Sequence, residues 1–186
     1  LLSGIPFSLL SPSQVGLSLE VAETGKSYSA NARIKALAFA KASGLLTLAD
    51  DSGLEVDALN GDPGIFSARY AGQGASDTQR VIRLLSKLNG VTFEQRTARF
   101  RCAIAIASPK GDLRLCSGSC RGLIALAPRG ENGFGYDPIF FFPKLHLTMA
   151  ELSSETKNRI SHRARATSRA RQLLFGIGDK ELSTKT

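Results

Sequence analysis

A chain of 186 residues, 42% of them hydrophobic, is long enough to bury its own core and is expected to form a single domain over residues 1–186. Its longest apolar runs, such as "IALAP" and "IFFFP", are too short to cross a bilayer, and no signal-peptide pattern opens it, so a cytoplasmic location is expected. Three cysteines do not make a disulfide framework, and a formal charge of +8 predicts an anionic partner: nucleic acid, an acidic surface or a phosphorylated small molecule.

In chain order, "LLSGIPFSLLSPSQVGLSLE" reads as a helix end, a turn at Ser3-Gly4 and a short strand from Phe7 to Leu10. "SYSANARIKALAFAKASG" predicts a helix with Ser29 as N-cap, an alanine-rich interior and Gly44 as its stop. Asn31 and Lys35, four residues apart, share one face of it. The apolar run "LLTLA" (45–49) predicts a strand covered on both sides, with Asp50 and Asp51 at its C-terminal end. Adjacent carboxylates resist ionising together unless a cation or a hydrogen-bonding shell holds them. Either a self-satisfied bend or a metal or acid/base site would explain the pair.

After the turn "NGDPG", the segment 76–90 predicts an amphipathic helix with a Ser76/Gln79 capping box and Val81, Leu84, Leu85 and Leu88 as its apolar face. "TARFRCAIAIA" (97–107) alternates as a strand, and "SPKGD" turns it into "LRLCSGSCRGLIALA". Cys116 and Cys120 fall on one face of that second strand but are too few for zinc, with His146 and His162 far downstream, and read as small hydrophobes. A glycine-rich loop, "PRGENGFGYDPIFFFP", leads to a final helix from Ser154 to Phe175. Early alternation of helices and strands followed by an antiparallel pair predicts an α/β fold with a mixed sheet.

Four polar clusters interrupt this pattern. Glu23, in "AETG", reads by itself as a solvated loop acid, and Asp50/Asp51 form the second cluster. In "GFGYDP" (133–138) the glycines around Phe134 leave its ring either to stack on a planar ligand or to tuck into the core. In "KNRISHR", Lys157 and Ser161 are expected on one helical face, with His162 and Arg163 beyond; a solvated basic face and a helix lying on nucleic acid are both compatible. Taken together, carboxylates for Mg²⁺, Lys and Arg for phosphates and an aromatic for a base describe a nucleotide. No Walker A pattern and no G-x-G-x-x-G after a strand is present.

"ADDSGLEVDALNGDPGIFSARYAG", "GFGYDPIFF" and "MAELSSETKNRISHR" closely resemble the signatures of the inosine/xanthosine triphosphate pyrophosphatases, the Ham1-like family. The resemblance implies an elongated mixed sheet with helices in two lobes around a nucleotide cleft, a homodimer, and Mg²⁺-dependent hydrolysis of ITP, dITP or XTP to monophosphate and pyrophosphate. It implies Asp51 as general base or metal-organising carboxylate, with Glu23 and Asp50 helping to hold Mg²⁺. Lys35 and Lys157 would meet the phosphates. Ser52, Phe134, Gly135, Tyr136, Asp137, Lys157, His162 and Arg163 would line the nucleotide, Phe134 stacking on the purine and Arg163 donating to its 6-keto oxygen. The family opens with a strand and an [ST]-x-N-x-x-K phosphate loop that this sequence does not carry, so the resemblance implies an N-terminally truncated form, either a piece of an ordinary enzyme or a weakened relative.

Overall fold

The computed structural model describes the backbone of residues 1–183. Its first residues form a turn at Ser3-Gly4, but the strand expected from Phe7 to Leu10 is absent: that stretch is irregular. It leads instead into a 3-10 turn, Pro12–Val15, closed by a Ser11/Gln14 capping box and by Gly16 in the left-handed region. "SPSQVG" supplies a cap, a proline at the first turn and a glycine stop, and that local chemistry outweighs the short apolar run before it.

Helix α1 (Tyr28–Ser43) starts two residues earlier than expected. Ser27, with extended backbone, accepts the Ala30 N–H at 3.2 Å, whereas Ser29 already lies within the helix. Gly44, at φ 70°, closes it by donating to the Ala40 carbonyl. Ala32, Ala36 and Ala40 repeat every fourth residue and are all buried. Their small side chains let the helix backbone pack closely, and the same side buries Asn31.

Strand β1 (Thr47–Val56) does not stop at the aspartates but runs through both. Its continuation, "GLEV", alternates, with Leu54 and Val56 fully buried and Glu55 partly exposed. Its first half is only half-buried rather than covered on both faces. Helix α2 (Asp77–Lys87) keeps the expected capping box, Ser76 Oγ accepting the Gln79 N–H at 3.2 Å and Gln79 Oε1 accepting the Ser76 N–H at 2.8 Å. Val81, Leu84 and Leu88 are buried along its apolar face.

Strands β2 (Thr97–Ala107) and β3 (Leu113–Ile124) follow the predicted hairpin, closed where Ser108 N–H donates to the Asp112 carbonyl at 2.9 Å. Short strands β4 (Phe140–Phe142) and β5 (Leu147–Thr148) complete a sheet of order β1-β2-β3-β4-β5. The sequence predicts a mixed sheet; the strands are neighbours in chain order, and β3 pairs with β4, and β4 with β5, antiparallel. Leu123 faces Phe141, and Phe141 in turn faces Thr148.

The single final helix is two. Helix α3 (Ser154–Ile160) ends at Ser161, whose extended backbone (ψ 160°) breaks the spiral before α4 (His162–Ser183). Lys157 and Ser161 therefore do not share a helical face.

The described residues group into two compact units. The first comprises residues 1–51, 102–118 and 163 onward; the second comprises residues 52–101 and 119–162. In the first, Cys102, Ile104 and Ile106 of β2 pack with Ala166, Ala170 and Leu174 of α4. In the second, Leu54, Leu84, Leu88, Phe100, Phe140 and Met149 are among the core residues. Among the described residues no helix is long and apolar enough to cross a membrane.

Candidate functional site

In the first unit the pleat of β1 answers the question its paired acids pose. Successive strand side chains point to opposite faces, so Asp50 and Asp51 are neighbours in sequence but not in space. Each has its own cationic partner.

Asp51 meets α1. Its Oδ2 accepts from Asn31 Nδ2 at 3.0 Å, and its Oδ1 lies 3.8 Å from the Lys35 ammonium. The same ammonium donates to Glu23 Oε1 at 2.7 Å. Glu23 and Asp51 thus converge on one cation although they are far apart in sequence. Asn31 is completely buried, and its Oδ1 accepts the Gly25 N–H at 2.8 Å, so the amide is held at both ends. A Cβ at position 25 would come within 2.6 Å of Asn31 Oδ1, which makes glycine a requirement of the close approach. The i, i+4 spacing of Asn31 and Lys35 signals their shared face, but Asn31 as the residue that orients Asp51 was not among the sequence-predicted site residues.

Asp50 meets α4 instead. Its Oδ2 accepts from Arg163 Nε at 3.1 Å and from Nη2 at 2.9 Å, and the Cys102 thiol lies 3.8 Å away. Burial, reinforced by the Asp50 charge, pushes that thiol up to about 12. The structure therefore joins Glu23 and Asp51 and separates Asp50 from them.

In the second unit the loop 133–137 is built around Asp137. This carboxylate is almost wholly buried; its Oδ2 accepts the Phe134 N–H at 3.0 Å and the Lys157 ammonium at 2.5 Å. Gly133, at φ 86°, passes so close to this pair that a Cβ there would overlap both Asp137 Oδ2 and Lys157 Nζ. Phe134 is 61% exposed, so the core reading of its ring is excluded. The Lys157 ammonium sits 5.4 Å from the ring centroid.

Tyr136 turns the other way: it is buried, and its hydroxyl donates to the Ser67 carbonyl at 2.9 Å. Burial raises the phenol well above its ordinary value of 10.0. Ser67 Oγ in turn accepts the Leu54 N–H of β1 at 2.9 Å, so Tyr136 anchors the loop rather than presenting its ring to solvent. Gly135, at φ 63°, gives its N–H to Asp77 Oδ2 at 2.6 Å. Asp77 and Ser67 were not among the sequence-predicted residues. His162 is buried, stacked on Phe100 with ring centroids 4.6 Å apart, and its Nδ1 lies 4.0 Å from Cys120 Sγ. Ser52 continues β1 and is half-buried.

Among the described residues no group of three or more His, Cys, Asp or Glu side chains stands close enough to hold a metal ion. The Glu23 and Asp51 carboxylates already converge on the ammonium of Lys35, and hard oxygen donors of this kind suit Mg²⁺.

The chain as a whole is similar to known proteins. The family model described as "Ham1 family" matches residues 1–173. A dITP/XTP pyrophosphatase of Desulforamulus reducens is 54% identical over 155 residues, 83% of this chain and 77% of that protein. One from Geobacter sulfurreducens is 52% identical over 166 residues, 89% of this chain and 83% of that protein. The structure of the Staphylococcus aureus Ham1 protein superposes with a TM-score of 0.82 at 47% identity, covering 89% of this chain and 84% of that one. Coverage on this scale, joined to an α/β fold of the same kind, places the chain in the Ham1 family.

Proposed function

We propose that the chain is a nucleoside-triphosphate pyrophosphatase that hydrolyses dITP, ITP and XTP to the monophosphate and pyrophosphate. The observation that carries the chemistry is the convergence of Glu23 and Asp51 on one cationic position, with Asp51 oriented by a buried amide. Family membership carries the substrate class, since the matched relatives bear the name dITP/XTP pyrophosphatase.

Attack of water on the α-phosphorus needs a group that orients or deprotonates the water and positive charge at the phosphoryl oxygens. Asp51 serves the first need, because Asn31 fixes one of its oxygens and leaves the carboxylate in a single orientation. Lys35, now shared by Glu23 and Asp51, serves the second by turning to the phosphates. Glu23 and Asp51 would hold Mg²⁺, with the remaining ligands coming from water and substrate, as is usual for an ion that keeps few protein ligands. When bound, Mg²⁺ would neutralise charge that develops on the phosphoryl oxygens. In the second unit the exposed face of Phe134 supplies stacking for a purine, and Lys157 adds a cation beside it. Homodimer formation and a cytoplasmic location belong to this reading as well.

Initial rates of pyrophosphate release from dITP, XTP and ATP test it, with Mg²⁺ present or removed by a chelator. Turnover of dITP and XTP, at least about tenfold slower turnover of ATP and loss of all three on chelation are expected; a single unpaired buried donor accounts for a factor of that order. Equal rates for ATP and dITP would contradict the substrate assignment, and rates indifferent to chelation would contradict the metal.

A further inference from the structure

The loop that carries Phe134 is held from outside itself, and the residue that holds it lies more than fifty positions upstream. Asp77 is the first residue of α2. Its Oδ2 accepts the Gly135 N–H at 2.6 Å, and its Oδ1 pairs with the Arg80 guanidinium. Arg80 does not end there: its Nη1 donates to the Ala75 carbonyl at 2.6 Å and to the Ala68 carbonyl at 2.9 Å. The guanidinium therefore locks Asp77 to the segment Gly64–Arg69, the same segment whose Ser67 carbonyl receives the Tyr136 hydroxyl. Gly135 and Tyr136, the two residues after Phe134, are thus tied to one frame, while Asp137 ties the Phe134 N–H to Lys157.

We infer that Asp77, braced by Arg80, is a positioning residue for purine recognition: it fixes the loop 133–137 so that the Phe134 ring is presented in a stacking orientation before substrate arrives. The inference rests on the nucleotide reading of the same loop. Gly135 stands at φ 63° with open space where a Cβ would be, and its N–H is held by the Asp77 carboxylate. The hydrogen bond from the Gly135 N–H, the foremost influence, holds the Asp77 carboxyl below its ordinary value of 3.8, and Arg80 adds to it, so the group is ionised throughout the neutral range. A charged acceptor makes the stronger kind of hydrogen bond, and an ordered loop spares the ligand the cost of ordering it.

The test compares Asp77→Ala, Asp77→Asn and Ser76→Ala with the unaltered chain. In each, dITP binding is measured by calorimetry, steady-state kinetics are recorded, and the Gly135 amide is followed by NMR. Asp77→Ala is expected to raise KM and Kd for dITP about tenfold or more with kcat within about threefold, and to shift the Gly135 amide proton upfield. Asp77→Asn keeps an oxygen acceptor for that amide and should recover most of the loss. Ser76→Ala removes the cap of the same helix, so it should lower thermal stability while leaving KM unchanged. If Ser76→Ala raises KM as much as Asp77→Ala, or if Asp77→Ala leaves dITP affinity unchanged, the inference is overturned and the nucleotide reading stands. If the unaltered chain does not bind dITP, both fall.

Discussion

The two faces of β1 carry the same side chain at consecutive positions and use it differently. On one face Asp50 is closed into a two-nitrogen pair with Arg163 beside the Cys102 thiol, an arrangement that joins strand to helix. On the other, Asp51 is gripped by a neutral amide and shares a lysine with Glu23. A guanidinium pair offsets a carboxylate's charge, whereas an amide hydrogen bond orients the group without offsetting it. What separates the two acids here is the chemistry of the partner: a guanidinium for Asp50, an amide and a shared lysine for Asp51.

Substitution on the two faces should separate them. Asp51→Asn is expected to lower kcat for dITP by roughly 10²–10⁴, the usual range for loss of a general base, whereas Asp50→Asn should lower it less than about tenfold. Comparable losses in both would erase the distinction. Next in size, Asn31→Ala removes the acceptor of the Gly25 N–H and the amide that donates to Asp51, both in part-buried positions. A stability loss of about 1–3 kcal/mol is expected, read from denaturant midpoints, together with a fall in kcat of about tenfold. Stability lost without any change in kcat would show that Asn31 does not act on turnover through Asp51.

Gly133→Ala should be milder for the fold than for the ligand. The new methyl would displace the Asp137–Lys157 pair and its backbone conformation would cost about 1–2 kcal/mol, so KM for dITP should rise several-fold with kcat little altered. The smallest effect concerns the Asp50 face. With its thiol pushed up to about 12, Cys102 should resist iodoacetamide at pH 8 in the folded chain and react once the chain is unfolded. Rapid alkylation of the native chain at Cys102 would show that this face is open.

Much of this was legible before any coordinates. The hairpin and the α2 helix follow from alternation and from a capping box, signals that neighbouring residues in the chain complete among themselves. Asp51 and Lys157 lie within motifs that resemble the family's, while Glu23, read from its own neighbours, is only a loop acid until Lys35 of α1 meets it. What escaped the sequence was set by partners distant along the chain. That Asp50 and Asp51 part company depends on β1 continuing through them, which "LLTLADD" alone does not announce, although the alternation of "GLEV" does. The break at Ser161 depends on one extended backbone conformation within a run of good helix formers. Asp77 looks like an ordinary first-turn acid until Gly135 arrives from a loop far downstream to give it an N–H.

The most direct measurement is hydrolysis of dITP in ¹⁸O-labelled water with Mg²⁺, with products resolved by mass spectrometry. Attack by a water that Asp51 orients predicts dIMP carrying the label and unlabelled pyrophosphate, with the rate of label uptake falling less than about tenfold in Asp50→Asn and by roughly 10²–10⁴ in Asp51→Asn. Orthophosphate as the product, label in the pyrophosphate, or undiminished uptake in Asp51→Asn would contradict the account.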